Sequence, residues 1–355
     1  LQAHPGAPPR RQRRFGAEST AAMKRCVVFV ALIVFALSAQ GGVQSMLSPA
    51  SDQSDAIDRV WQIMVWACST LYLFVLGVLA WAIWRRRRAL ASEGARHDPM
   101  LSRALAAWAV LVVGLLTWFV AISFLADRRL HGAGSEAPDL DVRITARQWW
   151  WQVEYLDHDV SRRFTTANEL RLPRDRTARI ELRSGDVIHS FWVPALSGKE
   201  DLVPGHTNAV WITPRRVGEF RGQCAEFCGL QHAKMALDVQ VAELPQFDAW
   251  RARQLEPASS PSSERTLRGA EVFARSACGN CHTIRGTPSG GRTGPDLPHL
   301  ASRRTLAAGS LPMQRDALAR WIADPQHPKP GNLMPAVPLA REDADALVDY
   351  LMELR

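Results

Sequence analysis

Polar and apolar positions divide the chain into segments of different character. Residues 1–22, LQAHPGAPPRRQRRFGAESTAA, are polar and rich in Pro and Arg, with no periodic apolar face. Met23 then opens MKRCVVFVALIVFALSAQ, where two positive charges precede an apolar stretch and small residues near Ala39. That order predicts a disordered leader and signal peptide over residues 1–39, cleaved near Ala39. Two longer apolar runs follow, VWQIMVWACSTLYLFVLGVLAWAIW over 60–84 and ALAAWAVLVVGLLTWFVAISFLA over 104–126. Neither carries a charge, and each exceeds the roughly 20 residues that cross a bilayer. Trp61, Trp81 and Trp84 lie toward the ends of the first run, as interfacial aromatics do. The loop between the runs, RRRRALASEGARHDPMLSR, is short and rich in Arg, which keeps it cytoplasmic. Residues 40–130 are thus expected to form a two-helix transmembrane hairpin, and everything after about Arg128 to be exported. Cys68 reads as a small apolar residue within its helix.

Beyond residue 138 the period shortens. LDVRITARQWWWQVEY, ARIELRSGDVIHSFWVP, TNAVWITP, GEFRGQCAEFC and MALDVQVAEL are short β-branched or aromatic runs punctuated by Gly, Pro and Asp. They predict an antiparallel β-sandwich or barrel within residues 131–255. EPASSPSSE, residues 256–264, reads as a flexible Pro/Ser linker. From 265 to 355 the pattern becomes helical: Ala344, Leu347, Val348 and Leu351 share one face of the last helix.

Charge refines this map. The chain has 355 residues and a formal net charge of +8. The excess of Lys and Arg sits before Asp127, flanking the apolar runs, and the exported part is nearly balanced. No basic stripe for phosphates appears, so a nucleic-acid partner is not expected.

Four of the six cysteines form two close pairs in the exported part. CGNCH, Cys278 to His282, has the order that haem attachment requires. Two thiols, Cys278 and Cys281, add to the vinyl groups, and the adjacent His282 reaches the iron. A dithiol redox motif shares the C-x-x-C spacing, but no thioredoxin-like αβ pattern surrounds it. The second axial ligand is expected further on. Met334, in the Gly/Pro-rich GNLMP, is preferred over Met313, His299 and His327 because Met-Pro on a loop before the last helix resembles class I cytochromes c. TGPDLPHL, with Pro295, resembles the segment that packs on the proximal His in those proteins. Their first and last helices cross, which would bring Gly269 and Phe273 to Tyr350 and Leu351.

The other pair lies in CAEFCGLQHAKM, which carries Cys224, Cys228, His232 and Met235 within twelve residues. Thiolate, imidazole and thioether form a soft set that favours copper. A mononuclear blue-copper site needs a second His, which His189 in DVIHSFWVP supplies, but has no use for a second Cys. Two thiolates can bridge two copper ions, each completed by one His and one weak ligand. A Cys224–Cys228 disulfide is the plain alternative, and zinc would want four strong ligands and no Met.

With these motifs, the two-helix hairpin, QWWWQVEY and KEDLVPG, the chain from about residue 40 resembles subunit II of cytochrome c oxidases that carry a fused C-terminal cytochrome c, the caa3 type. The resemblance implies a multidomain protein: a transmembrane hairpin, an all-β cupredoxin-like sandwich and an all-α class I cytochrome c. It implies a dinuclear copper centre, CuA, held by His189, Cys224, Cys228, His232, Met235 and the backbone carbonyl of Glu226. It further implies that the Glu226 carboxylate helps hold magnesium at the contact with subunit I, near Asp201, and that electrons enter through Trp149. His206 stands where the family commonly has Arg. The Glu that many members carry before the second membrane helix is missing from HDPMLSRALAAW.

The expected function is electron input to a haem-copper terminal oxidase in the bacterial plasma membrane. Electrons would pass from a periplasmic cytochrome c or similar donor through haem c and the copper pair to subunit I, with subunit III in the complex. There oxygen would be reduced to water with proton pumping. A nitric oxide reductase, in which only the partner differs, and a copper-binding assembly protein remain as alternatives. A quinol oxidase subunit II lacks the copper ligands.

Overall fold

The computed structural model describes residues 42–88, 99–132 and 137–355. The leader, its cleavage site and the middle of the Arg-rich loop lie outside the described residues. Two long helices, α1 (Asp52–Arg88) and α2 (Pro99–Gly132), contain the apolar runs. Both are long and apolar enough to cross a membrane, with mean hydropathies of 2.2 and 2.5 over their best windows. Their side chains are mostly exposed, as in Leu73, Val110 and Val120, so lipid or another protein chain must cover them. Phe74 stacks on Trp108 at 6.0 Å between the two helices. The root of α1 is tied to the β-rich part that follows. The Ala50 N–H donates to the Ala195 carbonyl (2.8 Å), the Thr213 N–H to Gln53 Oε1 (2.9 Å), and Arg215 Nε to Asp52 (2.6 Å).

Ten strands form two five-stranded sheets. In chain order they are β1 (Leu140–Arg147), β2 (Trp150–Leu156), β3 (Phe164–Ala167), β4 (Glu169–Pro173), β5 (Ala178–Ser184), β6 (His189–Trp192), β7 (Glu200–Leu202), β8 (Asn208–Ile212), β9 (Gly218–Cys224) and β10 (Ala236–Ala242). One sheet runs β3-β2-β1-β5-β8 and the other β4-β10-β9-β6-β7. Alternation puts Val142, Ile144, Val153, Ile180, Leu182, Val239 and Phe191 in one core. The sandwich is mixed rather than purely antiparallel, because β1 pairs with β5 and β10 with β4 in parallel. Those partners are distant in sequence, so their direction is set by how the chain crosses between sheets and not by hairpin turns. Helix α3 (Leu244–Leu255) closes one end, with Trp250 edge-on to Tyr155 at 5.2 Å.

The segment expected to be a flexible linker is held at two points. The Ala258 N–H donates to the Arg285 carbonyl (3.0 Å), and Ser262 donates to Glu353. Helix α4 (Glu264–Arg275) then starts on a Ser263–Thr266 capping box. With α5 (Arg315–Ala323) and α6 (Arg341–Glu353) it encloses a second core of Val272, Leu318, Leu347 and Leu351. A short ladder, β11 (Thr305–Leu306) with β12 (Leu311–Pro312), lies between α4 and α5 in sequence. Helices α4 and α6 cross at Gly269, and Phe273 meets Tyr350 edge-on at 6.4 Å.

Candidate metal and haem centres

Two strands and one loop build the first site. His189 opens β6 and Cys224 ends β9. The β6–β9 pairing sets Phe191 opposite Cys224, which brings His189 beside a cysteine 35 positions later. The loop after β9 folds back so that the Cys224 N–H donates to the Met235 carbonyl at 3.1 Å. Five candidate side chains therefore converge. Cys224 Sγ lies 3.7 Å from Cys228 Sγ and 3.9 Å from His189 Nδ1. Cys228 Sγ lies 3.7 Å from His232 Nδ1 and 3.9 Å from Met235 Sδ. The Glu226 carbonyl oxygen is 3.2 Å from Cys224 Sγ, whereas its carboxylate is not part of the cluster. His189, both cysteines and Met235 are buried.

The thiols are free, and their sulfurs are much further apart than the about 2.05 Å of a disulfide. The pair ionises unevenly. A hydrogen bond from the Cys228 thiol favours the Cys224 thiolate and holds its pKa well below the thiol range, and the same contact drives that of Cys228 up. Cations bound between the sulfurs would remove the penalty on the second ionisation. Two buried sulfurs flanked by two imidazole nitrogens, a thioether and a carbonyl suit a soft dinuclear copper site.

Asp186, which the sequence reading passed over, orients this site. Its Oδ1 accepts from His189 Nε2 (2.8 Å), leaving Nδ1 turned toward the cysteines. It also accepts from the N–H groups of Gln148 (2.6 Å) and Val187 (2.7 Å). Burial alone would raise its pKa, but these donors outweigh it and keep the carboxyl ionised. The signal was an acid three residues before His189. Asp186→Asn is expected to weaken copper retention about 10–100-fold, as loss of an orienting carboxylate does, measured by competition with a chelator. Unchanged retention would remove Asp186 from the site.

The second site is a cavity of about 310 Å³. Cys278, Cys281, His282 and Met334 all line it, and Met313, His299 and His327 do not. Cys278 to Asn280 form a 3-10 turn that sets the two cysteines and His282 on one wall. His282 Nδ1–H donates to the Pro295 carbonyl (2.7 Å), so Nε2 is left as the ligand atom. A Cβ on Gly294 would lie 2.7 Å from that ring, so glycine is required against it. Met334 is held by its N–H to Asn332 Oδ1 at 2.9 Å. The rest of the lining joins apolar Leu297, Leu318, Ile322 and Val337 to polar groups that include Thr305, Lys329, Asn332 and the buried Arg303, whose Nε has no hydrogen-bond partner. A flat apolar group with carboxylates at one edge suits this cavity, as haem does.

Trp149 stands between the sites. It forms the tip of the β1–β2 hairpin with Gln148, because Arg147 pairs with Trp150. Its indole Nε1–H donates to the Cys228 carbonyl (2.9 Å), where Gln148 Nε2 also donates (2.8 Å). The same residue lines the cavity. Gly229, at φ 112°, allows the indole this close, since a Cβ there would stand 3.2 Å from the ring. Asp201 lies on β7, where its carbonyl accepts from Asn208 Nδ2 (2.8 Å). His206 sits in the turn after β7 and donates its N–H to the Val203 carbonyl (3.0 Å).

Residues 140–242 match the family of cytochrome c oxidase subunit II periplasmic domains, and residues 266–355 match cytochrome c. Together these matches imply CuA copper and haem c. The chain is similar to cytochrome c oxidase subunit 2 of Alkalihalophilus pseudofirmus, 32% identical over 87% of this chain and 90% of that one. It is similar to the same subunit of Bacillus subtilis, 28% identical over 93% of this chain and 98% of the other. Among solved structures, the periplasmic domain of subunit II of the Bradyrhizobium japonicum cytochrome oxidase is 30% identical, covering 34% of this chain and 95% of that one, with a TM-score of 0.31. Similarity that runs from the hairpin through both redox regions leaves one assignment: the chain belongs to the cytochrome c oxidase subunit II family, in the form with its own C-terminal cytochrome c, and is the electron-input subunit of a haem-copper oxidase.

Proposed function

We propose that His189, Cys224, Cys228, His232, Met235 and the Glu226 carbonyl hold the copper pair, and that Cys278, Cys281, His282 and Met334 hold the haem. When bound, these groups each supply a one-electron couple, so the chain relays electrons and makes or breaks no substrate bonds. Trp149 joins the two sites. The observation that carries this reading is its double contact, a hydrogen bond to the Cys228 carbonyl on one side and the wall of the haem cavity on the other. His282 and Met334 would hold the iron, and an imidazole with a thioether would favour a high potential. Arg303 offers a charge-assisted contact to a carboxylate edge.

Subunit I would receive the electron beside the copper loop, where Val187, Ile188 and Phe227 form an exposed apolar rim. The half-buried Glu226 carboxylate would share a magnesium ion there, with Asp201 near the contact. The external donor would be a periplasmic cytochrome c or similar carrier, subunit III would complete the complex, and oxygen would be reduced to water with proton pumping. The hairpin would lie in the plasma membrane with its Arg-rich loop inside and both redox regions outside. The extents proposed for these parts are 40–130 for the hairpin, 131–255 for the copper region and 265–355 for the cytochrome.

EPR with copper and iron analysis on the purified complex tests the ligand set. The expected result is one unpaired electron shared by two coppers, on top of the copper and haem of subunit I. A single weakly held copper with an ordinary mononuclear spectrum would instead favour an assembly protein. Trp149→Phe keeps a ring but loses the N–H. It is expected to slow haem-to-copper transfer about tenfold, the change that one hydrogen bond of ~1.4 kcal/mol makes at a barrier. Stopped-flow reduction of both centres reads it, and an unchanged rate with intact spectra would remove Trp149 from the path.

A further inference from the structure

Trp149 can connect the two centres only while the C-terminal helical lobe sits against the sandwich, and one side chain holds that arrangement at its middle. Lys329 lies on the loop between α5 and Met334. It is almost fully buried, at 3% exposure. Its Nζ donates to three carbonyl oxygens: Trp149 (2.6 Å), Lys234 (2.8 Å) and Ala307 (3.1 Å). The first belongs to the hairpin tip that carries the indole. The second directly precedes Met235. The third follows β11 in the helical lobe itself. One ammonium thus ties the segment leading to Met334 to the indole residue and to the copper loop, and uses all three of its N–H donors to do so.

The surroundings support a built contact. Gln231 Nε2 donates to the Pro330 carbonyl and Lys234 Nζ to the Pro328 carbonyl, both at 2.7 Å, on either side of Lys329. Two glycines permit the approach. Gly331, at φ 82°, lies where a Cβ would stand 3.2 Å from Leu230 of the copper loop, and Gly309, at φ 78°, faces Ala236 at 3.0 Å. The Ala236 N–H reaches across to the Ala308 carbonyl (3.0 Å). Burial pulls the Lys329 pKa down to about 7, and the nearby Lys234 charge acts in the same direction.

We propose that Lys329 is a positioning residue for the intramolecular electron step: its buried ammonium, capped by the Trp149, Lys234 and Ala307 carbonyls, latches the haem lobe in register with Trp149 and the copper loop. One electron leaves the haem and one arrives at the copper pair, and Lys329 changes neither couple. It sets how large a fraction of molecules has the lobes in contact. The short covalent connection keeps the lobes near one another at high local concentration without fixing their orientation. The latch fixes it.

The test is Lys329→Met in the whole oxidase complex. Methionine has comparable length and no donor, so three buried carbonyls lose their partner. Pulsed dipolar EPR between haem c and the copper pair reads the distance directly. The wild type is expected to give one narrow distance and Lys329→Met a broad distribution, with transfer slowed about tenfold or more. The haem absorption spectrum and the copper spectrum are expected to stay unchanged, and the haem potential is measured alongside because Lys329 also lines the haem cavity. A narrow, unchanged distance in the variant would overturn the assignment. So would a slowed rate accompanied by loss of Met334 ligation, because the effect would then be local to the haem loop.

If Lys329→Met fails to take up haem, the double variant Gln231→Leu, Lys234→Met carries the test from the sandwich side, leaving the haem lobe untouched. Broadening of the same distance is expected there, and no broadening would count against the latch. The assignment rests on the proposed role of Trp149 only for the rate. Failure of that role would show as a normal rate in Trp149→Phe, whereas failure of the latch would show as an undisturbed distance in Lys329→Met.

Discussion

Cys228→Ser in the whole complex is expected to abolish the shared-electron copper signal and to lower oxygen uptake by at least about a hundredfold. Residues that only orient a metal ligand are worth about 10–100-fold, and Cys228 would be a ligand to both ions. Its sulfur touches Cys224 Sγ (3.7 Å), His232 Nδ1 (3.7 Å) and Met235 Sδ (3.9 Å), so it stands at the centre of the cluster. Serine is nearly isosteric, and its hydroxyl stays protonated at neutral pH. It cannot supply the second negative charge that lets two cations share one buried pocket. The fold should survive, because Cys228 makes no disulfide and its carbonyl still accepts from Trp149. The haem spectrum is therefore expected to remain native while copper falls to one ion or none. A variant that keeps two coppers and the shared-electron spectrum would remove Cys228 from the ligand set.

Gly269→Leu is expected to disrupt the helical lobe and with it stable haem attachment. A Cβ at position 269 would lie 2.1 Å from the Ala346 carbonyl oxygen, 2.7 Å from its carbon and 2.7 Å from Tyr350 Cβ. Two of those atoms are backbone of α6, so no side-chain rotation relieves the clash. The helices must separate along a contact that also contains Phe273 and Tyr350. Overpacking of this kind costs about 3 kcal/mol or more, a large part of the stability of a domain this small. The measurement is haem content together with thermal unfolding followed at the haem band. Gly290→Ala is the matched control, because a Cβ there meets nothing within 4 Å. Equal haem content and equal unfolding temperature in the two variants would show that the α4–α6 crossing does not depend on a bare backbone.

Both candidate centres were legible in the chain to the extent that their proposed ligands are close in sequence. Cys224, Cys228, His232 and Met235 lie within twelve residues, and Cys278, Cys281 and His282 within five. At that spacing one turn or one loop brings the ligands together whatever the rest of the protein does. The two helices long and apolar enough to cross a membrane were legible for a related reason, since an uncharged apolar run of that length stands out in sequence. The strands were legible as alternations, but their directions were not. The parallel β1–β5 and β10–β4 ladders join segments that no local pattern relates.

The sequence by itself determined the ligand types, the order of the parts and the periodicity of each element, because these depend on side-chain chemistry and short spacing. Only the tertiary structure decided which distant groups meet. His189 reaches Cys224 because β6 and β9 pair side by side. Asp186 meets the candidate copper site because the turn before β6 aims it at the outer nitrogen of His189. Lys329 meets the Trp149 carbonyl across 180 positions of chain. Nothing in its sequence neighbourhood, QHPKPG, distinguishes it from a solvated lysine. Its role arises where packing removes water from an ammonium and leaves backbone carbonyls to replace it, and burial of that kind is a property of the folded chain alone.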